Sequence, residues 1–286
     1  MSLFADHAYR VTRLLIRYPS AVARLPGGLS ATSAYIDELV KRDYQRNPVE
    51  MKHTHDFDIF LNPNDPWFSP IVAIIGSYEP DETRLFERVL KRGNTVVDVG
   101  ANVGWFTLLS ASLVGKEGRV LGLEPEPRTF SYLSRSVVRN GFTNAVLLNR
   151  VASDVDGTAT LFLHQDETLG NSIVRDFGRG GLQVASSRID TLAREQGLGP
   201  IDLVKVDAEG AEPLVVSGMR GLIEEGKVQR MVLEWNPKEW EPHQDLLSVL
   251  FEKFDVFSIN RLSIRPLSKV SRGSIPPALN LFLVKK

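Results

Sequence analysis

The run Val96-Val97-Asp98-Val99-Gly100-Ala101-Asn102-Val103-Gly104 constrains this chain more than any other feature. An apolar stretch of strand length gives way to a glycine turn, and a second apolar stretch of helix length follows from 103 to 114. Strand, glycine turn and helix open a βαβ unit, and the alternation continues downstream. Residues 95–99, 119–123, 145–148, 201–206 and 228–233 read as strands, with helices at 128–139, 212–225 and 243–254. Segments 255–259 and 279–284 read as a closing hairpin. The pattern predicts an α/β fold: a doubly wound, mostly parallel seven-stranded sheet with an antiparallel C-terminal hairpin.

Other segments decorate this frame. A strand-like insert covers 158–163 and 184–189 around a glycine-rich loop, and Asp190 is placed to cap a short helix ending at Gly197. Upstream, 57–61 alternates like a strand, and helices are expected at 67–75 and 81–91. Residues 8–24 and 31–44 read as helices, so 1–56 is assigned to a helical N-terminal extension and 57–286 to the Rossmann-like domain. Arg10, Arg13 and Arg17 interleave with the apolar face of the first helix. Packing on its own domain, or on a second copy in a homo-oligomer, is expected over membrane binding.

Bulk properties remove several function classes. Lys and Arg total 34 against 35 Asp and Glu, without the basic excess of a nucleic-acid-binding chain. The absence of cysteine removes disulfides, thiol nucleophiles and cysteine-ligated zinc, and fits a cytoplasmic location. No apolar run approaches the roughly 20 residues that a membrane span needs.

The turn at Gly100 lies where open α/β sheets bind ligands, off the carboxyl end of a strand. Glycine there lets backbone approach a ligand closely. Asp98 is an acid in an otherwise apolar strand, and a buried carboxylate needs a partner. Glu124 ends the next strand, where an acid can accept hydrogen bonds from ribose hydroxyls, and Pro125 stops the strand. A dinucleotide fingerprint would require further glycines where Asn102 and Trp105 stand, so an NAD-linked oxidoreductase fits poorly. A ligand with one nucleoside and no pyrophosphate fits better, and S-adenosylmethionine is one. A non-catalytic binding protein would be signalled by loss of Asp98 or Glu124, and both are present.

The segment 97–107 resembles the first motif of the FkbM family of S-adenosylmethionine-dependent methyltransferases. Glu124-Pro125, Ser153-Asp154-x-x-Gly157, the 202–212 segment around Lys205-Val206-Asp207-Ala208-Glu209-Gly210, and Gly76-Ser77-Tyr78-Glu79-Pro80 are similar to it too. The resemblance spans roughly 57–240 and implies a class I methyltransferase fold and O-methylation of a sugar or small natural product. It also implies a cofactor site made of Asp98, Gly100, Ala101, Asn102, Gly104, Trp105, Glu124, Pro125 and Asp207. Val151, Ala152 and Ser153 would lie near the adenine, and Tyr78 and Glu79 would cover the methyl donor.

An alcohol acceptor needs a base to take its proton. Lys205 is a charged residue in a strand expected to be apolar on both faces, so pairing with Asp207 or Asp98 is expected over a direct catalytic role. Asp207 and Glu234 end neighbouring strands and could face the acceptor together, as base and orienting group or, less favourably, around magnesium. His243 is a further candidate base, Glu212 is expected to complement a helix dipole, and His53 and His55 are expected on one strand face, solvated. Residues 164–183 and the first 80 are expected to shape the acceptor pocket.

Overall fold

The computed structural model describes residues 44, 46, 48–65, 67–164, 170–259, 267–271, 275 and 279–286. The helix expected at 8–24 and most of that at 31–44 lie outside them, as does any subunit contact through that extension. Chain order begins with an antiparallel hairpin, β1 (Met51–Thr54) and β2 (Phe57–Phe60), in which His53 faces Asp58 across the ladder. Only β2 is legible in sequence, because Phe57, Ile59 and Leu61 turn inward while β1 is polar and largely exposed. His53 reaches Asp58 at 2.8 Å, whereas His55 sits in the turn with φ 47° and its ring edge on Trp105, so the two do not share a strand face. Tyr44 is buried and its hydroxyl donates to the Val49 carbonyl, so the packed unit reaches back past residue 57.

Helix α1 (Phe68–Ile75) begins where the buried Asp65 carboxylate accepts from the backbone N–H groups of Trp67, Phe68 and Ser69. Helix α2 (Pro80–Val89) has proline at its first position, where the missing N–H costs nothing. The alternating core follows: β3 (Thr95–Val99), α3 (Trp105–Val114), β4 (Arg119–Leu123), α4 (Pro127–Asn140) and β5 (Ala145–Leu148). The insert is β6 (Val151–Ala152), β7 (Gly157–Phe162) and β8 (Gly181–Ser187), which form their own small sheet in the order β6-β8-β7. Next come α5 (Ile189–Glu195), β9 (Leu203–Val206), α6 (Glu212–Gly218), α7 (Arg220–Glu224), β10 (Arg230–Trp235), α8 (Pro237–Trp240), α9 (Gln244–Lys253), β11 (Phe254–Ile259), β12 (Leu267–Lys269) and β13 (Leu279–Lys285).

All seven expected strands lie in one sheet, and the short β12 extends its edge, giving the order β12-β11-β13-β10-β9-β3-β4-β5. Strands β10, β9, β3, β4 and β5 are parallel, and β13 enters antiparallel between β10 and β11. Each face buries its own core. Val97, Val99, Val204 and Val206 pack toward α6, while Val96, Leu203 and Val232 pack toward α3. Asp98 and Lys205 pair side by side on the α3 face, which is therefore apolar along its depth and charged at its carboxyl end.

The helix expected at 212–225 is two helices, broken at Gly218 and Met219. A Cβ on Gly218 would stand 2.0 Å from the Ser153 carbonyl oxygen, so α6 ends pressed against the insert. Asp190 explains the restart. Its carboxylate accepts from Gly221 N at 3.1 Å and Leu222 N at 3.0 Å, and so caps α7 rather than its own helix. Its own helix α5 has Arg188 at the cap, with no side-chain bond. Loss of this cap sets the first prediction. Asp190→Ala should lower unfolding free energy by about 1–2 kcal/mol in denaturant titration, with Asp190→Asn losing less. Equal stability of all three proteins would overturn the capping role.

Candidate active site

The carboxyl ends of β3, β4, β9 and β10 open on a cavity of about 220 Å³. Its floor is the turn after β3. The N–H groups of Gly100 and Ala101 both donate to the Leu123 carbonyl, and Asp207 N donates to the Val99 carbonyl, so the turn is tied to β4 on one side and β9 on the other. Gly100, Ala101 and Asn102 line the cavity, but the glycine is required by the protein itself. At φ 76° a Cβ on Gly100 would stand 1.8 Å from the Asp207 carbonyl oxygen. Gly104 does not line the cavity. It precedes α3 at φ 111°, where a Cβ would meet Leu133 Cδ1 at 2.6 Å. Both glycines thus permit close packing of protein on protein, and Gly100 lines the cavity as well.

Asp98 is buried on the cavity wall. Its Oδ2 accepts from Thr107 Oγ1 at 2.6 Å, and Oδ1 has no protein partner. Burial raises its pKa, with Lys205 and Thr107 opposing. Glu124 lies at the end of β4, where its two oxygens accept from Asn102 N and Glu126 N, each at 2.9 Å. Burial nevertheless pushes it to about 7. Asn149 braces this corner by donating to the carbonyls of Glu124 and Pro125. Pro125, Val151 and Ala152 line the same end. Ser153 does not: its hydroxyl meets Asp154 and it packs beneath α6.

At the opposite end Lys205 is buried, with Nζ 2.6 Å from Asp207 Oδ2 and 4.8 Å above the Phe106 ring. Burial alone would lower its pKa. The carboxylates of Asp207, Glu79, Glu82 and Asp98 outweigh burial and hold the ammonium well above its usual range. The expected pairing with Asp207 is therefore made. Glu234 shares this face, since Val232 pairs with Lys205 and Glu234 lies two residues on. Burial, then the negative charges of Asp207, Glu212 and Glu209, push Glu234 to about 9. Glu209 is pushed to about 7 by burial and then Asp207.

Tyr78 and Glu79 line the cavity, with the Tyr78 ring against Phe68 at 4.6 Å. Trp105 also lines it, held by Nε1 donating to Thr83 Oγ1 at 2.9 Å. His243 lies at the start of α9 with no side-chain cap bond and does not line the cavity, so the geometry gives it no role as a base. Glu212 does more than complement a dipole. It is buried and accepts from the N–H groups of Ala208 and Gly210, fixing the loop that carries Glu209. Among the described residues no group of three or more His, Asp or Glu side chains is arranged to hold a metal ion.

Arg150, Phe68, Phe106, Glu209, Asn171 and Ile173 line the cavity without having been singled out as site residues. Asn171 and Ile173 fall in the segment expected to shape the pocket. Ser172, between them, donates to the Glu209 carbonyl at 2.8 Å and ties the insert to the acidic loop. One signal was available for Glu209: it adjoins a glycine at the end of a central strand. Its φ of 51°, like those of Glu79 (40°) and Asn102 (52°), is left-handed, so three of the four such non-glycine residues described surround one cavity.

The raised carboxyl of Glu124 has a thermodynamic signature. Between about 4.5 and 7 the folded chain holds a proton there that the unfolded chain has released, so stability is greatest below 4.5 and falls as pH rises through that window. Denaturant midpoints at pH 5 and pH 7 should show this fall, and Glu124→Gln should show a smaller one. An unchanged fall in the variant would contradict the assignment.

A family profile described as "Methyltransferase FkbM domain" matches residues 98–256. The chain is 30% identical over 186 residues to methyltransferase sdnD of Sordaria araneosa, covering 53% of this chain and 70% of that protein. It is 26% identical over 159 residues to the 31-O-demethyl-FK506 methyltransferase FkbM of Streptomyces tacrolimicus, covering 46% of this chain and 61% of that one. A solved S-adenosylmethionine-dependent O-methyltransferase from Thermotoga maritima superposes at a TM-score of 0.40 with 16% identity, covering 73% of this chain and 66% of that one. The profile match spans more than half of the chain and takes in Asp98, Glu124, Lys205, Asp207 and Glu234, which sets aside the dehydrogenase reading. The chain belongs to the FkbM family of S-adenosylmethionine-dependent methyltransferases.

Proposed function

We propose that this methyltransferase transfers its methyl group to a hydroxyl of a sugar or small natural product, with Glu234 as general base. The observation that carries the reading is Glu234 itself. Its carboxyl lies on the cavity wall, takes no hydrogen bond from any described residue, and is pushed to about 9 by burial and neighbouring acids. In its ionised form, which grows as pH rises toward 9, such a carboxylate is a strong base for the proton an alcohol loses as its oxygen attacks. Asp207, held by Lys205 at 2.6 Å, is fixed beside it as the orienting group.

The residues present fit S-adenosylmethionine. Among the described residues, Asp98 Oδ1 is buried without a partner, and six acidic side chains line the cavity against two cations. That wall suits a ligand bearing a sulfonium and an ammonium. Glu124 and the Gly100–Asn102 turn would hold the nucleoside end, Asp98 and Glu79 the amino-acid end, and Ala152 the base. When bound, the cofactor supplies an electrophilic methyl carbon. The chain's share is alignment, exclusion of water by Tyr78, Phe68 and Ile173, and acceptance of the acceptor's proton at Glu234. O-Methylation is also the activity by which the Streptomyces relative, the 31-O-demethyl-FK506 methyltransferase, is named.

Two measurements test the reading. Calorimetry should give cofactor affinity that rises up to about tenfold from pH 6 to pH 8 as Glu124 ionises to accept ribose hydroxyls, with the rise lost in Glu124→Gln. Glu234→Gln should bind the cofactor as the parent does and transfer methyl about 100-fold more slowly to any hydroxylated acceptor. Full transfer by that variant, or methyl found on nitrogen by product NMR, would overturn the proposal.

A further inference from the structure

The charge of the acceptor can be read from the same cavity, an inference that rests on methyl transfer occurring there. The lining carboxylates are Glu79, Asp98, Glu124, Asp207, Glu209 and Glu234, and the lining cations are Arg150 and Lys205. Neither cation is available to an acceptor at the β9–β10 end. Lys205 is pinned to Asp207 at 2.6 Å, and Arg150 donates to Ser187 Oγ at 2.9 Å on the insert side. Arg175 packs over Gly210 but directs its guanidinium to Glu239 at 2.8 Å and does not line the cavity.

S-Adenosylmethionine brings one net positive charge: a sulfonium and an ammonium less a carboxylate. That leaves an excess of acidic groups in Asp207, Glu209 and Glu234, of which Glu209 and Glu234 hold protons near neutral pH that a cationic acceptor would displace. Burial and the neighbouring acids raise the proton affinity of Glu209 and Glu234, and the nearby charges of Arg175 and Lys205 offset only part of that rise. An anionic acceptor would add a like charge in a partly desolvated site where, among the described residues, both lining cations are already engaged, which is costly. A cationic acceptor would relieve the repulsion. The rings of Tyr78 and Phe68, packed on each other, line the same cavity.

We propose that the acceptor is a hydroxylated compound bearing a protonated amine, such as an amino sugar, selected by Asp207, Glu209 and Glu234, and that phosphorylated or carboxylated acceptors are rejected. The test is calorimetry on the full chain saturated with S-adenosylhomocysteine, using glucosamine, glucose and glucose 6-phosphate as matched probes. Glucosamine should bind at least about tenfold more tightly than glucose, and glucose 6-phosphate more weakly than either. Glu209→Gln should shrink the glucosamine-to-glucose ratio to a few-fold. Equal binding of the first two, absence of glucosamine binding, or preference for the phosphate would overturn the charge assignment. A transfer assay on the same probes separates this inference from the reading beneath it. Methyl delivered to the nitrogen of glucosamine, with the binding preference intact, would uphold the acceptor's charge and refute O-methylation.

Discussion

The buried ammonium of Lys205 is the interaction on which the rest of the site depends. It sits in β9, between β3 and β10 at the centre of the sheet, and the charges of Asp98, Asp207, Glu79 and Glu82 converge on it. Those acids come from β3, the end of β9, and the start of α2. Without a cation among them, four carboxylates would share a small dry volume, and burial of unpaired charge is among the costliest arrangements a fold can hold. Lys205 therefore joins the part of the cavity lined by Asp98 and Glu79 to the part lined by Asp207 and Glu234. Glu82 extends the network to the far strand, since it accepts from Asn280 of β13, which itself faces Glu234 across the ladder.

Much of the frame was legible because parallel strands buried on both faces leave continuous apolar runs. Strands 95–99, 119–123 and 145–148 match the structure residue for residue. What the pattern missed has physical reasons. β1 is a polar edge ribbon whose partner, not its own composition, makes it a strand. The split of 212–225 depends on Asp190, about thirty residues upstream, and on the insert pressing against Gly218. Neither is a local property of the helix sequence. The strand β12 is three residues long and, among the described residues, pairs only with β11.

The site divides in the same way. Asp98, Glu124, Lys205, Asp207 and Glu234 were readable because each is an acid or amine at, or in, an apolar strand. Arg150 and Ile173 were not, since a loop residue's distance from the site is set by how the insert folds back. Gly104, Ser153 and His243 show the opposite error. Motif position drew in Gly104 and Ser153, and a place after a strand end drew in His243, but none of the three lines the cavity, and the first two serve the packing behind it.

The contact between Gly100 and the Asp207 carbonyl carries a last consequence, for how the enzyme can diversify. The turn after β3 and the acid-bearing strand end lie back to back with no room for a methyl group between them. A side chain there would displace both at once, so neither can drift by small steps. The insert around Asn171 and Ile173 is different. It reaches the cavity from a separate three-stranded sheet, held to the acidic loop by the Ser172 hydroxyl. Descendants of this enzyme can exchange residues there and recognise new molecules while the transfer apparatus stays where it is.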